Sequence, residues 1–373
     1  MRILLASDKY KGSLTAPQVA AVMKRVIEQE IPGVECDVCP IADGGEGTTE
    51  ALVTALQGSW VEVPVVDARG RPVTARYGLV TRHGHSEAVM EMSAASGLAM
   101  VSDLPLEPRN ASTFGTGLMM LDALQRGAQR ILIGIGGSAT NDGGTGMAAA
   151  LGYQFLDSQG QPLTHLPAEL LQLETIRRPT SLPPVEIQVA CDVNNPLLGP
   201  LGCTRVYGPQ KGVEDFTPYE ERLARLAAVV RRDLGVDADE VPGAGAAGGL
   251  GYGLLVFGGA RLISGFDLVA HAVNLPERIA AADLVITGEG RLDAQTLHGK
   301  GPVGLAQSAR AMGKKVAAFA GAIDDSPALR EHFHLARAIS PAGMPLAEAI
   351  SRAEELLEAA VRSAVPELRA LLA

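Results

Sequence analysis

The chain repeats one local pattern: a short apolar segment ends in a turn rich in glycine or aspartate, and an amphipathic helix follows. The helix after the first segment is predicted to begin near Thr15, a good N-cap, with Pro17 in its first turn. Strands that alternate with helices form parallel sheets. The pattern therefore predicts an α/β fold with largely parallel strands. The apolar segments are residues 3–6, 34–41, 130–135, 187–190, 284–287 and 316–320.

Three consecutive apolar segments break this pattern, because only short turns join them. Residues 60–66, 73–80 and 88–92 therefore predict an antiparallel or mixed sheet. A chain of 373 residues also favours two domains. We predict a doubly wound, flavodoxin-like parallel-sheet domain and a second, inserted α/β domain that contains the mixed sheet, with the active-site cleft between them. The first is assigned to residues 1–57 and 280–373, the second to residues 58–279.

Charge and cysteine content narrow the class of protein. A formal net charge of −10 argues against nucleic acid or an anionic membrane as the main partner. The longest uncharged stretch, residues 242–260, is too interrupted by glycine for a membrane span. Cys36 and Cys39, two of only four cysteines, are interpreted as ordinary reduced thiols. We expect a cytoplasmic enzyme, and a homo-oligomer is compatible with this sequence.

Five polar clusters follow predicted strands. In an open parallel sheet, ligands bind beyond the carboxyl ends of the strands. We therefore expect the five clusters to face one crevice. They are Asp8-Lys9-Tyr10-Lys11, Asp43-Gly44-Gly45-Glu46-Gly47, Gly136-Gly137-Ser138, Asp192-Val193-Asn194-Asn195 and Glu289-Gly290-Arg291-Leu292-Asp293.

The turn GIGGSATNDGG has the properties of a phosphate cradle. Glycines allow backbone N–H groups to converge on an anion, and the following helix adds its positive end. The turn is neither a Walker loop nor the dinucleotide fingerprint G-x-G-x-x-G. A plain packed turn is the competing interpretation. The predicted nucleotide contacts are Gly136, Gly137, Ser138, Gly288, Glu289 and Lys300.

Positive side chains beside these turns suit phosphoryl transfer, because negative charge spreads over the phosphoryl oxygens in the transition state. Lys11 and Arg291 are predicted to clamp the anionic ends of the reactants. A solvated surface role is the alternative for each. The predicted substrate contacts are Asp8, Lys9, Lys11 and Asn194.

Acidic side chains suit the two other tasks of phosphoryl transfer, which are metal binding and acceptance of the hydroxyl proton. Mg²⁺ is usually held by one or two carboxylates together with phosphate oxygens. Asp43, Glu46 and Asp192 are the predicted metal ligands, and Asp192 or Asp293 is the predicted acceptor of the hydroxyl proton. Capping of helix N-termini is the alternative role for Asp43 and Asp192. Serine and histidine catalysis lacks support, because neither G-x-S-x-G nor H-E-x-x-H occurs.

Seven motifs in one order resemble those of type-1 glycerate kinases. They are SDKYKGSLTA, PIADGGEGT, GIGGSATNDGGTGMAAALG, ACDVNNPLLGPLG, YGPQKG, PGAGAAGGLGYG and DLVITGEGRLDAQTLHGKGPVG, and they extend from residue 3 to about residue 321. The resemblance implies ATP-dependent phosphorylation of D-glycerate to 2-phosphoglycerate in organic-acid catabolism, on two different α/β domains with a cleft between them. Family members often have Phe-Lys where this chain has Lys-Tyr, so Lys11 holds the more typical lysine position.

Other functions are compatible with parts of this pattern. One is phosphorylation of the 3-hydroxyl of glycerate or of another small hydroxy acid, since a choice between hydroxyls depends on placing one within about 3–3.5 Å of the phosphorus. Another is a nucleotide-binding module without turnover, because glycine loops alone do not imply catalysis. A nicotinamide dehydrogenase is disfavoured, because no G-x-G-x-x-G follows the first strand.

Overall fold

The computed structural model describes residues 1–82, 84–293, 296, 301–324 and 326–373. The chain divides into two compact units. Unit 1 comprises Met1–Asp43, Glu50–Gln57 and Val269–Ala373, and unit 2 comprises Gly44–Thr49 and Gly58–Leu268. The domain limits predicted from the sequence, with boundaries after residues 57 and 279, stay a prediction.

The strands and helices follow one another in the order that the apolar segments predict. The strands are β1 (Arg2–Leu5), β2 (Glu35–Val38), β3 (Ser59–Val66), β4 (Pro72–Arg82), β5 (His85–Glu91), β6 (Arg130–Gly134), β7 (Gln154–Leu156), β8 (Thr175–Arg177), β9 (Glu186–Ala190), β10 (Arg261–Ile263), β11 (Leu284–Thr287), β12 (Arg291–Leu292), β13 (Lys315–Ala320), β14 (Ala322–Ile323) and β15 (Leu335–Ala338). The α-helices are α1 (Ala16–Glu30), α2 (Thr48–Ala55), α3 (Ser93–Ser96), α4 (Phe114–Gln125), α5 (Thr145–Ala150), α6 (Cys203–Tyr207), α7 (Thr217–Leu234), α8 (Ala246–Gly258), α9 (Gly265–Ala272), α10 (Leu275–Ala281), α11 (Gly301–Ala311), α12 (Pro327–Arg330), α13 (Leu346–Ser351), α14 (Ala353–Ser363) and α15 (Val365–Leu372).

Unit 1 contains a five-stranded sheet in the order β2-β1-β11-β13-β15, and every pair in it is parallel. When only the strands of this sheet are numbered along the chain, the order is 2-1-3-4-5, which is the flavodoxin-like arrangement. The middle of β1 pairs with both neighbours, since Ile3 is opposite Cys36 of β2 and Leu284 of β11. The predicted doubly wound parallel sheet is confirmed.

Local sequence explains how the first helix of unit 1 begins. Thr15 caps α1 through a capping box: its side chain accepts from the Gln18 N–H, and the Gln18 side chain accepts from the Thr15 N–H. Pro17 occupies the first turn, as predicted. The apolar face of α1 then packs with α14 in the core of this unit, where Met23 and Leu357 are fully buried.

Unit 2 contains a six-stranded sheet in the order β10-β9-β6-β5-β4-β3. The strands β10, β9, β6 and β5 are parallel, whereas β4 is antiparallel to β5 and β3. The predicted mixed sheet is therefore confirmed. Its core combines strand residues such as Ile133 and Val189 with the helix residues Met119 and Tyr252, all of them fully or almost fully buried.

The cysteines are free thiols. Cys36 and Cys39 are buried, and burial raises the pKa of each to about 12, so both are protonated and poorly reactive at neutral pH. Within the described part of the chain, none of the helices combines the length and the apolar character that a membrane crossing requires.

Candidate active site

The first group of predicted site residues lies at the carboxyl ends of β1 and β11 in unit 1. These neighbouring strands mark the point where the strand order of the sheet reverses, which is where ligands bind in flavodoxin-like sheets. Backbone bonds continue the pairing past the strands: the Ala6 N–H donates to the Ile286 carbonyl, and the Asp8 N–H donates to the Gly288 carbonyl, each at 2.8 Å. This pairing places Asp8 close to Glu289.

Asp8 is a buried carboxylate, with 7% of its surface exposed. Burial, together with the charge of Asp43, raises its pKa to about 6, although Lys9 acts in the opposite direction. The Asp8 Oδ1 accepts a hydrogen bond of 2.6 Å from the Lys9 N–H. This bond and the nearby Lys9 charge offset the effect of burial on the Asp8 pKa only in part.

Glu289 has a similar environment. Burial raises its pKa to about 7, and the charges of Asp8, Asp293 and Asp43 add to the increase, although a hydrogen bond from Thr296 lowers it. That bond joins the Thr296 Oγ1 to the Glu289 Oε1 at 2.9 Å. A carboxylate with a pKa near 7 is suited to proton transfer at neutral pH.

Lys9 bridges two acids of this cluster. Its Nζ lies 3.7 Å from the Asp8 Oδ1 and 3.5 Å from the Asp43 Oδ1. Asp43 is exposed, so its carboxylate is open to an ion or a substrate as well as to the lysine. We call Asp8, Lys9, Asp43, Glu289 and Asp293 the acidic cluster of unit 1.

Lys11 and Arg291 lie beside a small cavity of about 200 Å³ at the same edge of the sheet. Both residues are exposed, and Arg291 forms an ion pair with Asp324 at 2.8 Å. The inner wall is apolar and includes Ile339 and Ala349. Two exposed cationic side chains on the lining of a largely apolar cavity fit a ligand with an anionic end, which is the role predicted for both residues.

Gly288, a predicted nucleotide contact, has a packing reason to be glycine. A Cβ at this position would lie 1.8 Å from the carbonyl oxygen of Phe319 in β13. No side chain fits between the two backbone segments. Gly288 therefore allows the loop after β11 to approach β13 and sets the position of Glu289.

The second group of predicted site residues lies at the carboxyl ends of β6 and β9 in unit 2. Gly136 and Gly137 are exposed after β6, and Ser138 is buried behind them. Two backbone bonds fix the turn, from the Leu98 N–H to the Gly137 carbonyl and from the Ala139 N–H to the Ser96 carbonyl. The turn is thus a rigid glycine loop at a strand end, as a phosphate cradle requires.

The loop of residues 44–49 borders this turn within unit 2. Gly44 has a φ of +88°, and an added Cβ would lie 2.7 Å from both the Ala190 Cβ and the Gly265 Cα. Glycine is therefore needed at this position. Glu46 is exposed two residues later. The structure thus places the predicted metal ligand Glu46 in unit 2 and the predicted ligand Asp43 in unit 1.

Asp192 is exposed after β9, and its Oδ1 accepts a hydrogen bond of 3.2 Å from the Gly265 N–H at the start of α9. This contact at a helix N-terminus is of the capping type, which is the alternative role for Asp192. Asn194 is exposed. The side chain of Asn195 donates to the Leu201 carbonyl and accepts from the Tyr207 hydroxyl, so it orders the loop.

A buried lysine in unit 2 was not among the predicted site residues. Lys211 is 2% exposed, and its Nζ donates to the Ser138 Oγ and to the Thr140 carbonyl, each at 2.6 Å. Burial lowers its pKa to about 8. One feature of the sequence could have pointed to this residue: Lys211 is the only lysine between residues 25 and 299.

The remaining predictions concern Lys300 and metal binding. Lys300 lies outside the described residues. Among the residues that are described, no group of three or more Asp, Glu, His or Cys side chains forms a metal cage. Since kinases hold Mg²⁺ largely through phosphate oxygens and water, with one or two carboxylates, such a cage is not required.

Comparison with known proteins places the whole chain in one family. Residues 3–369 match the model of the Glycerate kinase family. The chain is 43% identical to a glycerate kinase of Halalkalibacterium halodurans, over 97% of this chain and 96% of the relative. It is 42% identical to the glycerate 2-kinase of Escherichia coli, over 89% and 88%. The crystal structure of glycerate kinase 2 from Salmonella typhimurium LT2 superposes with a TM-score of 0.89 at 39% identity and covers 99% of this chain and 98% of that one. The chain therefore belongs to the glycerate kinase family.

Proposed function

We propose that this protein transfers the γ-phosphoryl group of ATP to the 2-hydroxyl of D-glycerate, with Mg²⁺ as the cofactor. Family membership supports glycerate as the acceptor, and the name of the Escherichia coli relative supports the 2-hydroxyl. The observation that carries the proposal is the acidic cluster of unit 1, because it gathers carboxylates and a lysine at the strand-order reversal of the sheet. The common cleft between the two units is part of the proposal and stays a prediction.

The residues of the acidic cluster fit Mg²⁺ bound to a nucleotide. The cluster contains four carboxyl groups and one lysine, and the repulsion between its acids adds to the effect of burial in raising the pKa values of Asp8 and Glu289, so an incoming cation would relieve it. Asp43, exposed beside them, is the ligand that we assign here, while Glu46 and Asp192 remain the candidates in unit 2. When bound, Mg²⁺ neutralises the charge that develops on the phosphate oxygens.

The chain's own side chains would position the reactants and accept the proton. Asp192 or Asp293 remains the predicted proton acceptor, and Glu289 joins them because its pKa is near 7. Lys11 and Arg291, on the lining of the cavity in unit 1, would hold the anionic ends of the reactants. Lys9 and Asn194 are the further proposed substrate contacts, and the glycine turn at Gly136 is a proposed phosphate contact.

Product analysis tests the proposed reaction. We expect purified enzyme with ATP, MgCl₂ and D-glycerate to release ADP in a coupled assay, and ³¹P NMR to identify 2-phosphoglycerate as the product. Formation of 3-phosphoglycerate alone would contradict the assignment of the hydroxyl. Nucleotide binding without glycerate-dependent release of ADP would instead favour a non-catalytic module.

We place the enzyme in the cytoplasm, where ATP is supplied. We also expect a homo-oligomer, and light scattering can test this expectation.

The role of Asp192 is tested by one amide substitution. We expect Asp192→Asn to fold normally and to lower kcat by about a hundredfold or more, as losses of a general base do. The matched control is Asp267→Asn, since Asp267 is an exposed acid in the first turn of the same α9 helix that Asp192 contacts. If Asp192→Asn and the control have similar kcat values, Asp192 acts only at the helix terminus.

A further inference from the structure

Lys211 carries a buried charge, and its Nζ contacts no acidic side chain among the described residues. Both hydrogen bonds of its Nζ end on neutral oxygens, the Ser138 hydroxyl and the Thr140 carbonyl. Within the described part of the chain, Lys211 has no ion pair. A buried ammonium group without a counter-ion is costly, and proteins retain such groups mainly where they have a function.

Neither of the two titratable groups that act on the Lys211 charge forms an ion pair with it in the described part of the chain. Cys203 of α6 is a buried thiol whose pKa is raised to about 11 by burial, so it is neutral. Asp142 is fully buried but already accepts four hydrogen bonds, from the N–H groups of Thr113, Gly144 and Gly146 and from the Thr113 hydroxyl. Asp142 therefore acts on Lys211 only through its charge at a distance, and the Lys211 Nζ has no anionic contact of its own among the described residues.

Ser138 connects the buried lysine to the exposed glycine turn. An ammonium group can only donate, so the Ser138 oxygen accepts from Lys211 and its own O–H must point elsewhere. Ser138 is 6% exposed, and its O–H has no acceptor among the described residues. The N–H groups of the preceding Gly136 and Gly137 also have no acceptor there. Three donors at one turn, in front of a buried positive charge, are complementary to an anion.

We propose that Lys211 is a positioning residue that acts through Ser138 to form an anion subsite at the Gly136-Gly137 turn. The subsite would bind an anionic oxygen group of a reactant, either the carboxylate of glycerate or a phosphate of the nucleotide. This inference rests on the proposed function. It adds that anion binding at the glycine turn depends on Lys211, which lies far from the turn in the sequence. Lys211 itself does not contact the ligand.

The Michaelis constants distinguish the two sources of the anion. We expect Lys211→Met and Ser138→Ala each to raise the KM of one reactant at least about tenfold and to leave that of the other within about twofold. A raised KM for glycerate identifies the carboxylate, and a raised KM for ATP identifies a phosphate. The controls are Lys24→Met, at a partly exposed lysine of α1, and Ser102→Ala, at an exposed serine. If neither KM changes in either variant, the subsite does not exist.

Two further readouts separate positioning from a purely structural role. Because Lys211 acts through Ser138, the variant that combines Lys211→Met with Ser138→Ala should have the same KM as Lys211→Met alone. If the effects of the two substitutions on KM are fully additive, Lys211 does not act through Ser138. In the wild type, the affected KM should rise as the pH increases above about 8, where Lys211 loses its proton, and this rise should be missing in Lys211→Met. Ser138→Thr, which keeps the hydroxyl, should restore the KM.

Thermal midpoints show whether a variant still folds, so that a changed KM can be assigned to the subsite. Replacing a buried charge that has no ion pair among the described residues with an apolar chain of similar length should leave the thermal midpoint of the ligand-free Lys211→Met protein at or above that of the wild type. If that variant does not fold, Ser138→Ala tests the subsite alone. Inorganic phosphate should raise the thermal midpoint of the wild type more than that of Ser138→Ala, and equal increases would overturn the subsite. This readout needs no turnover, so it separates a failed subsite from a failed reaction assignment.

Discussion

We expect Asp8→Asn to lower kcat by about a hundredfold or more and, at the same time, to make the ligand-free protein more stable at pH 8. The loss of activity follows from removing a charge of the acidic cluster that the bound cation or the reacting hydroxyl requires. The gain in stability follows from the buried position of the same carboxylate, whose pKa is raised from 3.8 to about 6. A shift of that size corresponds to about 3 kcal/mol.

The sign of the pH effect follows from linkage. Between pH 3.8 and about 6 the folded protein holds a proton on Asp8 that the unfolded chain has released, so this group opposes folding increasingly as the pH rises through 6. Thermal unfolding at pH 5 and pH 8 should therefore show a larger advantage of Asp8→Asn at pH 8. The control Glu277→Gln changes an exposed acid of α10 and should alter neither kcat nor stability. A destabilised Asp8→Asn protein at pH 8 would contradict the charge argument.

We expect the second large effect at a backbone contact: Gly288→Ala should destabilise the protein by about 3 kcal/mol or more. The new Cβ would lie 1.8 Å from the Phe319 carbonyl oxygen, and neither the strand β13 nor the loop after β11 can move without breaking the pairing beyond β1 and β11. Thermal or urea unfolding of the ligand-free protein measures the loss.

Gly136→Ala is the matched control for this prediction. A Cβ at position 136 meets only the Gly45 Cα at 3.6 Å, which is an ordinary contact, and the substitution should change stability by less than about 0.5 kcal/mol. Comparable stability of Gly288→Ala and Gly136→Ala would show that the loop after β11 adapts, and that the close approach to Phe319 is not what requires glycine.

The sequence predicts the fold of this protein well, because its signals are local. Alternating strands and helices predict the parallel sheet of unit 1, and three strands joined by short turns predict the mixed part of the sheet in unit 2. The capping role of Thr15 depends on four adjacent residues and is likewise confirmed. Each of these features is determined by residues close together in the chain.

The candidate site is predicted only in part, because its properties depend on distant segments. The rule for strand ends correctly brings Asp8 and Glu289 to one edge of the sheet, but their raised pKa values depend on burial by residues far along the chain. Lys211 stayed unnoticed for the same reason, since its burial results from contacts with residues 138–140 and Cys203. A lysine on a loop gives no local sign that it will be enclosed.

The central strand pair of unit 1 has a consequence for synthesis on the ribosome. β1 pairs with β11, although residues 3 and 284 are separated by all of unit 2 in the chain. During translation, the first two strands leave the ribosome long before β11, β13 and β15 exist, whereas unit 2 is complete by residue 268. The nascent chain therefore completes the mixed-sheet unit first, while one edge of β1 stays unpaired. That edge is exposed to misassembly or chaperone binding until β11, about three-quarters of the way along the chain, has emerged.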